Sequence, residues 1–173
     1  LGPQGAINLR PAIAADETLL LHWANDAQVR ANSFSPESIA PKDHHHWFQK
    51  GLTDPNRHLL IATTADGCPI GQIRFDRQPA TAQPDESEAM VDLSLDRCAR
   101  GHGLSSELVR LGLLEMKQRW GSATHAVAEV FPNNNASNSC FARAGFTAES
   151  ELVFDEPASL ALNRWRWRPG VSP

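Results

Sequence analysis

Apolar residues recur along the chain at two spacings, one typical of strands and one typical of helices. Short apolar runs predict strands at Leu59 to Thr64 and at Ile70 to Asp76, and the intervening Asp66-Gly67 favours a hairpin turn. The alternating segment Ala89 to Leu95 predicts a further strand. Other strands are predicted at Ala6 to Pro11, Ala126 to Phe131 and Leu160 to Trp167.

Helices are predicted where start and stop residues flank a helical spacing. One runs from Asp16 to Asn25-Asp26, and a second begins at Pro41 and carries Trp47, Phe48 and Leu52. A third has leucines at 104, 108, 111 and 114, is expected to bury that face and ends at Gly121. The last runs from Ala136 to Ala144 and ends at Gly145.

The order of these elements predicts the fold class. The strands are first antiparallel and are then joined by a helical crossover, which indicates an α/β fold with a mixed central sheet and helices on both faces. The segment between Asn25-Asp26 and Pro41 is predicted to be a connection without regular structure. Gln78 to Glu86 is polar, contains proline and is predicted to be a surface loop.

A glycine turn, Arg100-Gly101-His102-Gly103-Leu104-Ser105-Ser106, joins a predicted strand to a predicted helix. The first amides of a helix are unpaired and lie at its positive dipole end, and glycines let a phosphate approach the main chain. The turn therefore suggests a phosphorylated cofactor. An ordinary loop leading into a helix is the alternative, and the turn alone does not distinguish them.

Composition narrows the functional classes. A chain of 173 residues, 41% hydrophobic, is long enough for one well-buried domain. The net charge of -4 argues against general nucleic-acid binding. The three cysteines lack C-x-x-C spacing, which argues against a disulfide framework or a zinc site and favours a cytoplasmic protein. No apolar stretch approaches the roughly 18 residues of a membrane span, so no membrane partner is expected.

The basic and aromatic run Arg164-Trp165-Arg166-Trp167-Arg168 allows two interpretations. Aromatic and basic residues together can form a platform on which nucleobases stack. Strict alternation is more typical of a strand with tryptophans on one face and arginines on the other. We therefore expect a strand.

Two motifs together resemble the GNAT acyltransferase superfamily. Gly101 and Gly103 occupy the glycine positions of its pyrophosphate motif, Gln/Arg-x-x-Gly-x-Gly/Ala. The second motif is Asn134-Asn135-Ala136-Ser137, followed by Phe141 and then by Gly145-Phe146. The resemblance runs from about Ile7 to Trp167 and implies a single domain at 6–168, with a mostly antiparallel sheet flanked by helices and with tails at 1–5 and 169–173.

The resemblance implies acetyl-CoA as the cofactor and acetyl transfer to an amine as the reaction. The amides of Arg100 to Ser106 would hold the coenzyme A diphosphate, and the edge of the preceding strand, at Leu93 and Leu95, would pair with the pantetheine arm. The second motif would add contacts to the same arm; its residues are Asn134, Ser137 and Phe141. Asn134 is equally suited to be a helix N-cap, and both roles can hold together.

The sequence indicates the catalytic groups less clearly than the cofactor-binding residues. A carboxylate near the central strand commonly serves as the base in this superfamily, and Asp92 is the first choice, with Glu88 as the other candidate. Asp92 is equally compatible with a solvated strand carboxylate. The chain has no Tyr, and Phe141 stands where many relatives have a tyrosine acid. Ser139 and Cys140 are alternatives, but solvent protonation is favoured because a thiol leaves readily, with a pKa of about 8.5.

The resemblance places acceptor selection in the N-terminal half. The candidate substrate-binding residues are Trp23, Asn25, Arg30, Phe34, His44 and Arg74. Core packing is the favoured interpretation for Trp23 and Phe34, and solvation is equally favoured for the arginines. Adjacent histidines on a helix diverge, so no metal site is expected at His44 to His46.

The N-terminal pattern is similar to two branches of the superfamily. These are the nucleotide amino-sugar acetyltransferases of the pseudaminic-acid type and the ribosomal-protein N-terminal acetyltransferases. Ser33-Phe34, His44-x-x-Trp47-Phe48 and Gly71 to Asp76 favour the sugar branch. The preferred acceptor is therefore a nucleotide-linked amino sugar, and a homodimer is compatible with this. A protein α-amino group is the second hypothesis, and a non-catalytic acyl-CoA-binding module is the third.

Overall fold

The computed structural model describes residues 7–78, 87–149, 152–154 and 160–170. The predicted loop after Gln78, the first residue of the strand predicted at Ala6 to Pro11, and the expected tails apart from residues 169 and 170 lie outside these ranges. The chain forms two compact units. The first comprises Leu1–Arg74 and Leu93–Leu104, and the second comprises Phe75–Asp92 and Ser105–Pro173.

Strands and helices alternate through the described residues. The strands are β1 (Asn8–Pro11), β2 (Arg57–Thr63), β3 (Pro69–Gln78), β4 (Ser87–Leu95), β5 (Thr124–Val130), β6 (Thr147–Ala148), β7 (Leu152–Phe154) and β8 (Leu160–Trp167). The helices are α1 (Glu17–Ala24), α2 (Ala27–Ala31), α3 (Pro41–Thr53), α4 (Leu104–Trp120) and α5 (Asn135–Arg143), with short 3-10 turns at Ala14–Asp16 and Arg97–Ala99.

The first unit confirms the predicted hairpin and two predicted helices. Gly67 has a φ of +86° in the β2–β3 turn, where the amide of Thr64 donates to the Cys68 carbonyl at 2.9 Å. β1 pairs antiparallel with β2, from Asn8 opposite Thr63 to Pro11 opposite Leu60. The core of this unit joins α1, α3 and β2 through Leu20, Trp23, Phe48, Leu59 and Ile61.

Helix α2 corrects the prediction of an irregular connection. Asp26 does not simply end α1, because its carboxylate accepts the amides of Gln28 at 3.0 Å and Val29 at 3.3 Å and so caps α2. The helix has five residues and none of them is buried. A helix without an apolar face leaves no hydrophobic period in the sequence, so only the capping residue could have indicated it.

The buried face of α4 also differs from the prediction. Leu108 is fully buried, but Leu114 is 62% exposed and the leucines at 104 and 111 are only partly buried. The buried stripe consists of Leu108, Val109, Gly112, Leu113 and Met116. Leucines lie on both sides of this helix, so a leucine spacing alone selects the wrong face, whereas Val109 and Met116 mark the correct one.

The second unit is organised around β8. β5 pairs with β8 antiparallel, from Ala126 opposite Trp167 to Val130 opposite Asn163, and the short strands β6 and β7, which were not predicted, also pair with it antiparallel. β4 and β5 run parallel. Four of the five pairings whose registers are known are thus antiparallel, which confirms the expected α/β fold. In the described part of the chain, no helix is long and apolar enough to span a bilayer.

Candidate functional site

The glycine turn has the backbone geometry of an anion site. Gly101 and Gly103 adopt φ angles of +78° and +74°, which side-chain-bearing residues rarely adopt, and a Cβ built on either would meet no atom within 4 Å. Helix α4 begins directly afterwards at Leu104, so its unpaired amides follow the turn. His102 is exposed, and Ser105 and Ser106 are partly buried in the first turn of α4.

The side chain of Arg100 does not extend from the turn toward a ligand. Its Nε donates to the Leu95 carbonyl at 2.9 Å, and its Nη1 lies 2.9 Å from Asp26 Oδ1 and 3.0 Å from Gln28 Oε1. The pKa of the Asp26 carboxyl lies below its usual value. Partial burial alone would raise this pKa, but the hydrogen bonds from Arg100 and from two α2 amides together lower it by more. Only the main chain of Arg100 is therefore offered to a phosphate.

Strand β4 supplies the two candidate bases. Its ladder with β5 joins Ser87–Met90 to Thr124–Val127, whereas the strand itself continues to Leu95. Ala89 and Val91 are buried and Asp92 is exposed, as the predicted alternation requires. Asp92 lies two residues beyond Met90, the last residue of β4 that pairs with β5. Leu93 and Leu95 follow it and are partly buried.

Glu88 belongs to an ion-pair network on the sheet of the second unit. Its Oε2 lies 2.7 Å from Arg164 Nη2 and its Oε1 lies 2.5 Å from Arg166 Nη1. The β5–β8 register places Glu129 opposite Arg164, and Glu149 pairs with both arginines. With each oxygen held by a guanidinium group, Glu88 is poorly suited to remove a proton, and Asp92 is the better candidate.

The alternating arginines and tryptophans form the predicted strand, and the two residue types have different partners. Arg164 and Arg166 face the glutamates, whereas the indole Nε1 of Trp165 donates to Asn138 Oδ1 at 2.9 Å. Asn138 in turn donates to the Phe131 carbonyl at 3.0 Å. Asn138 was not among the expected residues, and its partner Trp165 lies 27 positions away.

In the second motif, at helix α5, the side chains of Asn134 and Phe141 have structural roles. Asn134 caps the helix, because its Oδ1 accepts the Ser137 amide at 3.2 Å. Phe141 is 3% exposed and packs edge-on against Phe146, with ring centroids 5.0 Å apart. The N-cap interpretation of Asn134 is thus observed, and the Phe141 ring lies in the core.

The two alternative acids on α5 lie in different surroundings. Ser139 is exposed, whereas Cys140 is buried. Burial raises the pKa of the Cys140 thiol, while a hydrogen bond with the Ser105 side chain acts in the opposite direction. A buried thiol with a raised pKa is a poor proton donor for a departing thiolate.

Three of the expected acceptor contacts instead shape the first unit. Trp23 is 2% exposed, and its Nε1 donates to Asp96 Oδ2 at 2.8 Å. Asn25 donates to the Ile39 carbonyl at 3.0 Å and accepts the Ile39 amide at 2.7 Å. Arg30 donates to the Ser35 and Glu37 carbonyls and to Ser33 Oγ. The favoured core packing of Trp23 is thus observed, and the Asn25 and Arg30 side chains hold the segment between α2 and α3.

His44 lies inside the core of the first unit rather than in an open pocket. It is 3% exposed, stacks nearly parallel to Phe48 at 5.9 Å and lies 5.4 Å from the Trp47 ring. Burial lowers its pKa, and neither ring nitrogen has a hydrogen-bond partner among the described residues. His45 instead contacts Glu17 at 2.8 Å, so adjacent histidines diverge as expected.

Phe34 and Arg74 are the remaining expected acceptor residues, and the favoured core packing of Phe34 is not observed. Phe34 is 60% exposed on the segment that Arg30 holds. Arg74 lies 5.2 Å from the centroid of the Trp47 ring, and Arg57 lies 4.9 Å from the same centroid. Two guanidinium groups therefore flank one indole. Arg57 and Trp47 were not among the candidate substrate-binding residues. The available signal for Trp47 was its place in the His44-x-x-Trp47-Phe48 pattern.

Comparison with known proteins identifies related folds. The model of the GNAT acetyltransferase domain matches residues 6–147. The structure is similar to spermidine N-acetyltransferase from Vibrio cholerae, solved with CoA and spermine, with a TM-score of 0.78, 15% identity and coverage of 93% of this chain and 94% of that one. It is also similar to RimL, a ribosomal α-N-protein acetyltransferase solved with coenzyme A, with a TM-score of 0.77, 18% identity and coverage of 96% of both chains.

A third similar structure is an aminoglycoside acetyltransferase in complex with coenzyme A. Its TM-score is 0.72 at 19% identity, with coverage of 91% of this chain and 94% of that one. At such identities the likeness establishes the fold alone. No curated protein sequence is a significant match.

Proposed function

Because this chain belongs to the GNAT acetyltransferase family, we propose that it transfers the acetyl group of acetyl-CoA to the primary amine of a small acceptor, a nucleotide-linked amino sugar. The observation that carries the acetyl-CoA part is the pair of left-handed glycines, Gly101 and Gly103, directly before the N-terminus of α4. Amides in this arrangement favour a diphosphate.

Each part of the chain has a separate role toward acetyl-CoA. The amides from Arg100 to Ser106 bind the diphosphate, and the open space beside both glycines leaves room for it. The main chain of Leu93 and Leu95 lies beyond the part of β4 that pairs with β5, and on that edge it offers amide and carbonyl groups to the pantetheine arm. Asn134 keeps its cap, and its amide nitrogen and Ser137 add contacts to the arm. Acetyl-CoA supplies the activated thioester.

Asp92 acts as the base, directly or through a water molecule. It removes a proton from the acceptor ammonium, and the neutral nitrogen then attacks the thioester carbonyl to form the C–N bond. The nitrogen loses its second proton to solvent as the C–S bond breaks and the amide forms. Solvent protonates the leaving thiolate, since the chain has no tyrosine and Cys140 is buried. A thiol with a pKa of about 8.5 leaves without a dedicated acid.

The acceptor proposal rests on charge and aromatic surface in the first unit. Arg57 and Arg74 bring two positive charges to the Trp47 ring, and Phe34 exposes a second ring. Guanidinium groups bind phosphate oxygens in pairs, and aromatic rings stack on bases and sugars. This chemistry favours an anionic nucleotide sugar over a cationic polyamine.

The test is release of free thiol from acetyl-CoA with three acceptors: a UDP-linked 4-amino sugar, a peptide with a free N-terminus and spermidine. Release with the amino sugar alone supports the proposal. Release with the peptide alone supports α-amino acetylation of a protein, and CoA binding without any release supports a non-catalytic acyl-CoA module. Release with spermidine alone overturns the preference for an anionic acceptor.

A matched pair of glycine variants tests the turn. Gly103→Ala should abolish CoA binding, because alanine is strained at a φ of +74° and the turn must change shape. Gly67→Ala places the same strain in the β2–β3 turn, at a φ of +86° and also with no atom within 4 Å. If both variants weaken CoA binding equally, the glycine turn is not the diphosphate site.

A further inference from the structure

We propose that Arg100 is a positioning residue that links order in the glycine turn to order in α2 and in the segment carrying Phe34. The proposal rests on the proposed binding of CoA at the glycine turn. It adds a role for a side chain that contacts neither the cofactor nor the acceptor. All the contacts involved lie within the first unit.

The Arg100 side chain joins two parts of the first unit that are far apart in sequence. Its Nε holds the Leu95 carbonyl at the end of β4, and its Nη1 holds Asp26 and Gln28 at the start of α2. Gly101 follows Arg100 directly, so a change in the turn backbone moves the base of this side chain. The Arg100 side chain is 23% exposed and the Asp26 side chain 14%, which strengthens their pairing relative to a surface ion pair.

Helix α2 depends on such external contacts. It has five residues, none of them buried, and an isolated helix of this length is unstable in water. Its N-terminus is fixed by the Asp26 cap and by the Arg100 contacts to Asp26 and Gln28. We infer that the order of α2 responds to whatever orders Arg100.

Arg30, near the C-terminal end of α2, connects this helix to the segment that follows it. The Arg30 guanidinium holds Ser33 Oγ and the carbonyls of Ser35 and Glu37, which surround Phe34 in the sequence. A contiguous path of hydrogen bonds and ion pairs therefore runs from Arg100 through α2 to the exposed Phe34. A path of this kind establishes coupling only when perturbing one end changes the other.

Hydrogen exchange with and without saturating CoA measures that change. In the wild-type protein, CoA should slow exchange in peptides covering 101–108 and, through Arg100, at least about threefold in peptides covering 28–34, to which the proposed function assigns no CoA contact. Asp26→Asn should remove most of the CoA-dependent slowing at 28–34 while leaving it at 101–108. Asparagine caps helices as well as aspartate does, so this variant removes the charge and keeps the cap.

Two further variants control for structural damage. Arg100→Met removes the same ion pair from the other side, and Asp26→Asn should have no additional effect in its background, as a double-mutant cycle requires. Asp54→Asn makes the same chemical change at a carboxylate that accepts the Asn56 amide at 2.9 Å, and it should behave as wild type.

The outcomes separate this inference from the proposed function. If CoA protects 101–108 in the wild type but leaves 28–34 unchanged, or if 28–34 stays protected in Asp26→Asn, the coupling through Arg100 is overturned. If CoA protects neither region, CoA binding at the turn fails and the coupling falls with it. Loss of CoA-dependent protection at 28–34 in both single variants, with 101–108 still protected, supports the inference.

Discussion

Trp23 donates its indole N–H to the carboxylate of Asp96, 73 positions later in the chain, at 2.8 Å. The other oxygen of that carboxylate accepts the Cys98 amide at 2.9 Å, and the Asp96 amide donates to the Ile70 carbonyl at 2.8 Å. A core tryptophan thus fixes the residue that leads into the 3-10 turn Arg97–Ala99, four positions before Arg100. The Trp23 side chain thus joins helix α1 to the approach to the glycine turn.

Replacing this donor should destabilise the protein more than replacing an indole that serves a neutral acceptor. Trp23→Phe leaves the Asp96 carboxylate without its indole donor, and hydrogen bonds to charged groups contribute about 1.5–3 kcal/mol. Trp165→Phe removes a bond to the neutral Asn138 side chain, which contributes about 1 kcal/mol. Urea unfolding of both variants measures the difference, and equal losses would contradict the special role of the Trp23 contact.

Acid should weaken the contact between Arg10 and Asp16. Both Arg10 Nη atoms donate to the Asp16 carboxylate at 2.7 Å, and the Ile13 amide donates at 2.8 Å. The Arg10 hydrogen bonds are the main cause that lowers the pKa of Asp16, although burial opposes them. A carboxylate with a depressed folded-state pKa stabilises the protein above its unfolded pKa of about 3.9, and that stability is lost as the pH falls through the folded value.

Asp16→Asn isolates this effect. The free energy of unfolding should differ between wild type and variant at pH 7, and the difference should shrink as the pH falls below about 3.9. Asp54→Asn, at a carboxylate that accepts only the Asn56 amide in the described contacts, controls for the change of residue type. A difference between wild type and Asp16→Asn that stays constant from pH 7 to pH 2.5 would rule out a charge-dependent contribution from Asp16.

Substitutions of the two β4 carboxylates, Asp92 and Glu88, should have clearly different effects on kcat. Asp92→Asn should lower kcat by about 10²-fold or more, because general base catalysis contributes 10²–10⁴-fold. Glu88→Gln should lower stability through the loss of its pairs with Arg164 and Arg166 but leave kcat within a few-fold. Steady-state rates with the active acceptor, measured beside unfolding curves, give both values, and the reverse pattern would assign the base to Glu88.

The three cysteines should differ in their reactivity toward iodoacetamide. Cys68 and Cys98 are exposed and Cys140 is buried. Asp96 raises the pKa of the Cys98 thiol, with burial as a smaller cause, so this thiol should react more slowly than Cys68. Mass spectrometry of the native protein should find alkylation first at Cys68, then at Cys98, and at Cys140 only after unfolding. Early alkylation of Cys140 would show that it is accessible to a thiolate leaving group.

The sequence predicted those elements that have a proline or a glycine at their boundaries. Pro41 begins α3, Gly121 and Gly145 follow α4 and α5, and Asp66-Gly67 turns the hairpin, because proline fixes φ and glycine readily adopts the positive φ found at these three glycines. Helix α2 escaped prediction because it buries nothing and so has no hydrophobic period. The face of α4 was wrong because leucine also occupies exposed positions.

The residues of the candidate site also differ in whether the sequence could predict their roles. The glycine positions could be predicted because a positive φ is a local demand. The role of Glu88 could not be predicted, since its partner Arg164 lies 76 positions away. Core packing of Trp23 was expected and is observed, but its hydrogen bond to Asp96, 73 positions away, could not be predicted. The burial of His44 could not be predicted either, although its stacking partner Phe48 is only four positions away on the same helix. Residue type indicates possible chemistry, and distant contacts decide which possibility is used.

The paired hydrogen bonds between the Asn25 side chain and the main chain of Ile39 have a consequence for engineering. They close residues 26–38 into a short ring whose two ends meet at one amide group, much as a strand pair would hold them. A replacement segment that preserves Asn25, Asp26 and the Ile39 main chain therefore enters the scaffold at fixed end points. If the segment selects the acceptor, as the proposed function implies, exchange of this ring as one cassette would retarget the protein to a different amine without moving the points where it joins the scaffold.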